Sequence, residues 1–312
     1  MRIQCVTIFF AGLFGALCCS RMDAQDLEPR AYAPLPTGAN FVFAGLVRSS
    51  GDVLFDATLP VSDVHATVHS PFIGGSTTFN FFGRTALGLG VFPYAIANIT
   101  GNLNEQATSI SRSGLADFRL KLSVNFVGGR AMKLSQFART KHPTVVGASV
   151  TVVSPTGQYD SHKVVNIGSN RWSFKPEVGV SHQTGRWTIE EYAGVWLFTA
   201  NHKFFTGSSI RTQHPVFAFQ LHASYTFRSR LWAAVDWTWY SGGTTSVDGI
   251  DKGGFHRNSR IGGTMSAPLF SQQSLKFAFS KGITTRVGAN FTTFSAGWQL
   301  SWFSRQNVTH NP

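Results

Sequence analysis

One stretch of the chain alternates polar and apolar side chains without a break: Asp117-Phe118-Arg119-Leu120-Lys121-Leu122-Ser123-Val124-Asn125-Phe126. A period of two is the period of a β-strand, because successive side chains point to opposite faces of the pleat. Ten residues are also about the number that a tilted strand needs to cross a bilayer. The stretch therefore predicts one strand of a transmembrane β-barrel, with Leu120 and Leu122 facing lipid and Arg119 and Lys121 facing the lumen.

Eleven further segments show comparable alternation, which brings the predicted barrel to about twelve antiparallel strands. They cover residues 40–48, 64–77, 84–99, 144–154, 171–181, 187–198, 215–227, 231–240, 259–267, 274–281 and 291–303. Most connections alternate between long and short, as the exterior loops and periplasmic turns of bacterial barrels do. Residues 128–143 break this rule, so either a short helix around residues 133–139 sits there or one strand is miscounted.

The composition favours a barrel over a soluble β-sandwich. Only 13% of the residues are charged, while Gly (31), Phe (28) and Trp (8) are abundant. A sandwich core would have difficulty holding so many aromatic side chains. All eight Trp residues lie in or at the ends of predicted strands, which is typical of the aromatic girdles at membrane interfaces.

We expect four regions along the chain: a cleaved signal peptide (residues 1–24), an irregular Pro-rich lead-in (25–39), the barrel (40–303) and a C-terminal tail (304–312). The apolar run of residues 6–19 is too short for a spanning helix and suits a signal peptide. All three cysteines lie in the predicted signal peptide, so the expected mature chain has neither a disulfide nor a thiolate. Lipidation at Cys18 or Cys19 is a weaker alternative. The predicted location is the bacterial outer membrane.

Inward-facing charged and polar side chains are the candidates for a solute pathway, since lumen residues tune the selectivity of barrels. The candidates are Asp117, Arg119, Lys121, Arg171, Lys175, Glu177, Asp236, Tyr240, Arg260 and Lys276. Basic residues outnumber acidic ones in this set, which suggests a preference for anionic or electron-rich solutes. The alternative is that these charges pair with one another and support the wall. The formal net charge of +12 is scattered along the chain, so we expect no nucleic-acid partner.

A barrel phospholipase is the enzymatic alternative. His222 and Ser224 share a predicted face, two residues apart, and Asp236 faces inward on the next strand. A hydroxyl beside a base that a carboxylate orients is the logic of a catalytic triad. A polar row inside a lumen would contain such a pair by chance, so we predict no enzyme. We also predict neither a metal site nor a cofactor.

Several short motifs resemble outer-membrane proteins named for the meta-pathway of phenol degradation, in the same order along the chain. They are Asp26-Leu27-Glu28-Pro29-Arg30-Ala31-Tyr32, Phe82-Gly83-Arg84, Pro93-Tyr94, Pro155-Thr156-Gly157-Gln158-Tyr159-Asp160 and Asn170-Arg171-Trp172-Ser173-Phe174-Lys175-Pro176-Glu177. The resemblance implies an outer-membrane barrel associated with uptake of aromatic compounds, and it brings no established catalytic residues. One departure is that residues 304–312 follow Phe303, where barrels of this kind often end on an aromatic residue.

We therefore expect an outer-membrane channel for passive uptake of small solutes, aromatic or anionic compounds among them. The alternative is a barrel that transports nothing and anchors or contacts other envelope components. The expected partners are membrane lipid, small-molecule solutes and the outer-membrane assembly machinery.

Overall fold

The computed structural model describes residues 27–54, 61–103, 106–163, 165–205 and 207–304. The predicted signal peptide and all but the first residue of the predicted tail lie outside these ranges. Seventeen strands are described: Ala39–Leu54 (β1), Val61–Phe81 (β2), Arg84–Leu103 (β3), Gln106–Leu115 (β4), Arg119–Val127 (β5), Thr144–Val153 (β6), Ser173–Thr184 (β7), Trp187–Phe198 (β8), Asn201–Phe204 (β9), Ser209–Gln213 (β10), Val216–Arg228 (β11), Leu231–Gly242 (β12), Thr245–Val247 (β13), Ile250–Asp251 (β14), His256–Phe270 (β15), Gln273–Thr284 (β16) and Gly288–Phe303 (β17). One short helix, Leu134–Phe137 (α1), completes the set.

Thirteen of these strands form the wall of a closed antiparallel barrel, which has twelve wall positions, as the alternation predicts. β4 and β5 count as one wall strand, because β3 pairs with β5 along its first half and with β4 along its second half. β1 closes the barrel by pairing with β2 on one side and β17 on the other. The registers add up to a stagger of roughly 14 residues per circuit, which for twelve strands corresponds to a tilt of about 40°.

The two ends of the barrel differ. Tight turns at residues 82–83, 185–186, 229–230 and 271–272 lie at one end, together with the start of β1 and the end of β17. Long connections lie at the other end. Short turns mark the periplasmic end of such barrels and long loops mark the exterior. The helix predicted around residues 133–139 is confirmed as α1, on the periplasmic side, and twelve is the correct number of wall strands.

Some strands extend beyond the membrane, where the sequence pattern does not reveal them. β3 continues past the predicted strand end at residue 99 to Leu103, and residues 106–115 form β4. β9, β10, β13 and β14 build a second, four-stranded sheet from the two long loops that follow β8 and β12. These segments meet water on both faces, so the apolar alternation that marks a membrane strand is absent from them. No helix in the described ranges is both long and apolar enough to span a membrane.

The prediction that all eight Trp residues belong to interfacial girdles is wrong for two of them. Trp172, Trp187, Trp239 and Trp302 are exposed on the outer face, as predicted. Trp196 and Trp232 are fully buried and face the lumen. Each of these two rings lies beneath a cationic side chain, a contact that stabilises an aromatic residue inside the barrel.

Candidate functional site

Residues 27–38, the N-terminal segment, lie inside the lumen. The side chain of Leu27 rests against Gly262 on β15, and the ring of Tyr32 rests against Gly179 on β7. A Cβ atom at Gly179 would come within 2.3 Å of that ring. At the periplasmic end the backbone N–H of Thr37 donates to Met132 O (2.9 Å). The segment therefore fills the lumen from its middle to its periplasmic end before it enters β1.

A cluster of ion pairs joins the N-terminal segment to the wall. Glu28 is paired with Lys121 of β5. Lys121 Nζ also lies 3.6 Å from Glu177 Oε1, and Lys175 Nζ lies 2.9 Å from Glu177 Oε2. The hydroxyl of Tyr32 donates to Glu177 Oε1 at 3.2 Å. All of these groups are buried. Two ammonium groups thus face two carboxylates, one of which comes from the N-terminal segment.

Arg30 forms a second anchor on the adjoining strands β8, β11 and β12. Its backbone N–H donates to Glu190 Oε2 (2.6 Å). Its guanidinium donates to the hydroxyls of Ser224 (3.1 Å) and Thr226 (2.7 Å), and lies 4.5 Å from the ring centroid of Trp232. Hydrogen bonds to two hydroxyls and a contact with an aromatic ring hold the planar guanidinium, a geometry that lysine cannot reproduce.

The geometry around His222 does not support a phospholipase. His222 Nδ1 lies 2.7 Å from Asp236 Oδ1, and the hydroxyl of Thr264 donates to Asp236 Oδ2 (2.7 Å). The hydroxyl of Ser224 is bound by Arg30 instead, and the described residues show no hydrogen bond between His222 and Ser224. His222, Ser224 and Asp236 are fully buried inside the barrel, so a lipid ester at the outer face cannot reach them.

Cationic and aromatic side chains alternate on the inner wall. Lys175 Nζ lies 5.4 Å from the ring centroid of Trp196, and the guanidinium carbon of Arg171 lies 4.2 Å from that of Phe198. Lys276 Nζ lies 5.5 Å from the ring of Trp232. Trp196 packs against Tyr240 in an apolar cluster. These pairs place aromatic rings beside fixed positive charge, with Trp196 and Trp232 fully buried beneath the cationic side chains.

The structure brings the sequence-predicted lumen residues to the inner face of the wall. Nine of the ten are buried and Lys276 is half-buried. Arg260 binds the hydroxyl of Ser280 (3.0 Å) and the carbonyl of Phe291 (2.8 Å). Arg119 is buried at the start of β5. Their roles in a solute pathway remain predictions.

Asp117 differs from the other candidates because it anchors a loop. Its Oδ1 accepts from the N–H of Gly157 (2.8 Å), and its Oδ2 accepts from the N–H (2.8 Å) and hydroxyl (2.5 Å) of Ser169. We call residues 154–163 and 165–172 the mouth loop, since these parts of the connection between β6 and β7 lie against the break between β4 and β5. Gln158 N–H donates to Leu115 O there (2.8 Å). Asp117 therefore holds the extracellular mouth of the barrel in one shape.

The tip of the mouth loop is held locally. The backbone N–H of His162 donates to Asp160 Oδ1 (3.0 Å), and Lys163 Nζ lies 3.1 Å from Asp160 Oδ2. Both contacts lower the pKa of the Asp160 carboxyl, the backbone hydrogen bond most. No group of three or more His, Asp or Glu side chains in the described part of the chain is placed to hold a metal ion.

A family model described as "Putative MetA-pathway of phenol degradation" matches residues 56–300. The chain belongs to this family. Its structure is similar to the COG4313 outer membrane channel from Pseudomonas putida F1, with 17% identity, a TM-score of 0.73, and coverage of 88% of this chain and 100% of that one. It is also similar to the beta domain of the Bordetella autotransporter BrkA, with 12% identity, a TM-score of 0.50, and coverage of 85% and 100%. No curated protein matches.

As a barrel of the phenol-degradation family, the chain lies in the bacterial outer membrane. Two of the motifs that resemble the family have clear structural places. Glu28 to Tyr32 fills the lumen, and Pro155 to Asp160 begins the mouth loop.

Sequence reasoning missed Glu28, Arg30 and Tyr32 as lumen residues. Nothing in an irregular Pro-rich stretch reports contacts with residues 93–196 positions away. One signal was available. Glu28, Arg30 and Tyr32 lie close together in a Pro-rich lead-in, and charged and hydroxyl groups require partners if that lead-in is buried.

Proposed function

We propose that this chain is an outer-membrane channel for passive uptake of small solutes, and that aromatic and anionic compounds are the solutes it favours. The observation that carries the proposal is the alternation of cationic and aromatic side chains on the inner wall, from Arg171 and Phe198 to Lys175 and Trp196. When a displacement of the covering side chains exposes these rings, a flat solute can stack on them, and a carboxylate or phenolate finds positive charge beside them. The family description and the channel from Pseudomonas putida F1 support the same reading.

The N-terminal segment limits the size of these solutes. A barrel of twelve strands tilted by about 40° has a backbone radius of roughly 12 Å. Inward side chains and the segment fill much of that space in the periplasmic half. A wide, water-filled pore of the general porin type is therefore excluded while the segment is docked. Passage needs either a small solute or a displacement of the segment.

The charge preference rests on fewer groups than the sequence suggested. Lys121 and Lys175 face Glu28 and Glu177, so they add no net positive charge to the lumen. Arg171 and Arg260 lie nearer the exterior, where Arg171 donates to Gln213 Oε1 (2.6 Å) and Arg260 donates to Ser280 Oγ (3.0 Å). This distribution favours attraction of anions at the mouth, with aromatic stacking deeper in the lumen.

Two measurements on the purified full-length barrel test the proposal. In planar bilayers under a KCl gradient, the reversal potential should show anion selectivity, and cation selectivity would contradict that part. In proteoliposomes, benzoate should enter faster than hexanoate, which has the same charge but no ring. Equal rates for the two acids would contradict the aromatic preference.

A barrel that transports nothing is the second candidate. The filled lumen favours it, because a structural or anchoring barrel has no need of an open path. Absence of flux for every solute tested, with the N-terminal segment docked or released by substitution, would favour this candidate over a channel.

A further inference from the structure

The outer face of the barrel carries a groove of about 580 Å³ that crosses β12, β15, β16, β17 and β1. Its floor consists of small outward residues: Ala233, Gly263 and Ala296. Its walls consist of large apolar ones: Leu46, Met265, Phe277, Phe279 and Phe294. All five of these wall side chains are exposed on the lipid-facing surface. The volume is within the range of pockets that bind small molecules.

The floor of the groove is open mainly because residue 263 is a glycine. A Cβ atom at Gly263 would meet only the carbonyl of Ala234, at an ordinary 3.4 Å. The backbone there is therefore not strained, and no neighbouring side chain occupies the space. A larger residue at position 263 would fit sterically and would simply fill the groove.

Basic side chains lie at the extracellular end of the groove. Arg48, which lines it, is exposed on the outer face of β1 beside Phe294 of β17. Lys281 is exposed on the same side of β16, two residues beyond the groove residue Phe279. From strand spacing and rise, the Cα atoms of Arg48 and Lys281 are on the order of 12 Å apart. Long side chains can converge on one anion across that gap.

Among the described residues, the outward acidic side chain nearest to Arg48 already has a partner. Asp52, four residues beyond Arg48 on β1, has its carboxylate 3.1 Å from His65 Nδ1. Arg257 of β15 is also exposed near this end. The extracellular rim of the groove thus carries positive charge above an apolar surface.

We propose that this groove binds an outer-leaflet lipid with a phosphorylated head group, with one acyl chain along the floor and a phosphate between Arg48 and Lys281. The apolar floor alone would suit any lipid chain. The basic pair selects among lipids, because it complements a phosphate and offers nothing to a neutral head group. The site is on the outside of the barrel, so it is independent of solute passage through the lumen.

Native mass spectrometry of the full-length barrel in detergent tests the proposal, with diphosphorylated lipid A as the probe and its dephosphorylated form as the comparison. The wild type should retain one molecule of lipid A, with an apparent Kd at least about tenfold below that for the dephosphorylated form. The double variant Arg48→Gln/Lys281→Gln should reduce this difference to less than about threefold. Gly263→Leu should lower the retention of both lipids.

Matched variants separate a specific site from general damage. Gly88→Leu places the same side chain on the outer face of β3, where a Cβ atom meets nothing closer than 3.9 Å. Arg186→Gln removes an exposed charge from a turn at the opposite end. Both should bind as the wild type does, and all variants should keep the heat-modifiable gel mobility of a folded barrel. Equal binding of the two lipids by the wild type, or loss of binding in Gly88→Leu as large as in Gly263→Leu, would overturn the proposal.

Discussion

The carboxylate of Glu28, in the segment that fills the lumen, is ion-paired with the ammonium group of Lys121 on the barrel wall. Both groups are buried, and Lys121 also lies 3.6 Å from Glu177. Lys121, which the alternation of its strand predicts to line the solute pathway, thus holds the N-terminal segment in place. We expect this pair to influence how much of the lumen is open.

Glu28→Gln should release the N-terminal segment for a larger fraction of the time. The substitution leaves Lys121 and Lys175 facing Glu177 alone, and a weakened buried ionic contact costs about 1–3 kcal/mol. Since 1.4 kcal/mol is tenfold in a population, open events in single-channel recordings should become about tenfold or more frequent.

Glu191→Gln provides the matched control for that experiment. Glu191 follows Glu190 on β8 but is exposed on the outer face and does not contact the N-terminal segment. Its recordings should match the wild type. If Glu28→Gln also matched the wild type, the ion pair would not hold the segment.

Gly179→Ala should displace the same segment by steric means. The added methyl group would lie 2.3 Å from the ring of Tyr32, which is closer than real Cβ contacts. Overpacking of this kind typically costs about 1–3 kcal/mol. We expect more frequent open events, although the substitution itself changes no charge. Gly88→Ala, on the outer face, should have no effect, and an equal effect of the two alanines would refute a docking role for Tyr32.

The wall of the barrel could be predicted from the sequence because lipid and lumen impose a period of two on each membrane strand. In β5 the burial of Arg119, Lys121 and Ser123 alternates with the exposure of Leu120 and Leu122, as the sequence indicates. The same alternation gave the number of wall strands correctly, but in β1 to β3 the inward face is itself apolar, with Phe43, Val68 and Leu89 buried.

The contents of the lumen could not be predicted in the same way. A buried polar segment is specified by its partners, and the partners of Arg30 are Glu190, Ser224 and Thr226, all far along the chain. The prediction for Trp196 was wrong because the sequence shows only an aromatic residue near a strand end, whether its ring contacts lipid or a lysine. Only the parity of its own strand distinguishes the two cases.

Asp117→Asn should loosen the mouth loop. The carboxylate accepts three hydrogen bonds from Gly157 and Ser169, and charge-assisted bonds of this type are about twice as strong as neutral ones. Limited trypsin digestion at Lys163, which lies in this loop, should become about tenfold faster. Lowering the free energy of loop opening by about 1.4 kcal/mol raises the open population tenfold. Asp251→Asn, in the neighbouring loop sheet, should leave the rate at Lys163 unchanged. Slow cleavage in both variants would mean that the loop is held by other contacts.

Leu120→Arg should impair the stability of the barrel, because it places a charge on the lipid face of β5. Leu120 is 48% exposed there, and an outward arginine near the midplane costs about 2–4 kcal/mol. Unfolding by urea in lipid vesicles should therefore shift to a lower midpoint with an unchanged slope. Leu115→Arg, in β4 toward the exterior, should cost about 0–1 kcal/mol, since the penalty falls near the interface. If the two arginines destabilised the barrel equally, the membrane would not cross β5 at the level of Leu120, and the assignment of its lipid-facing band would have to be moved along the strand.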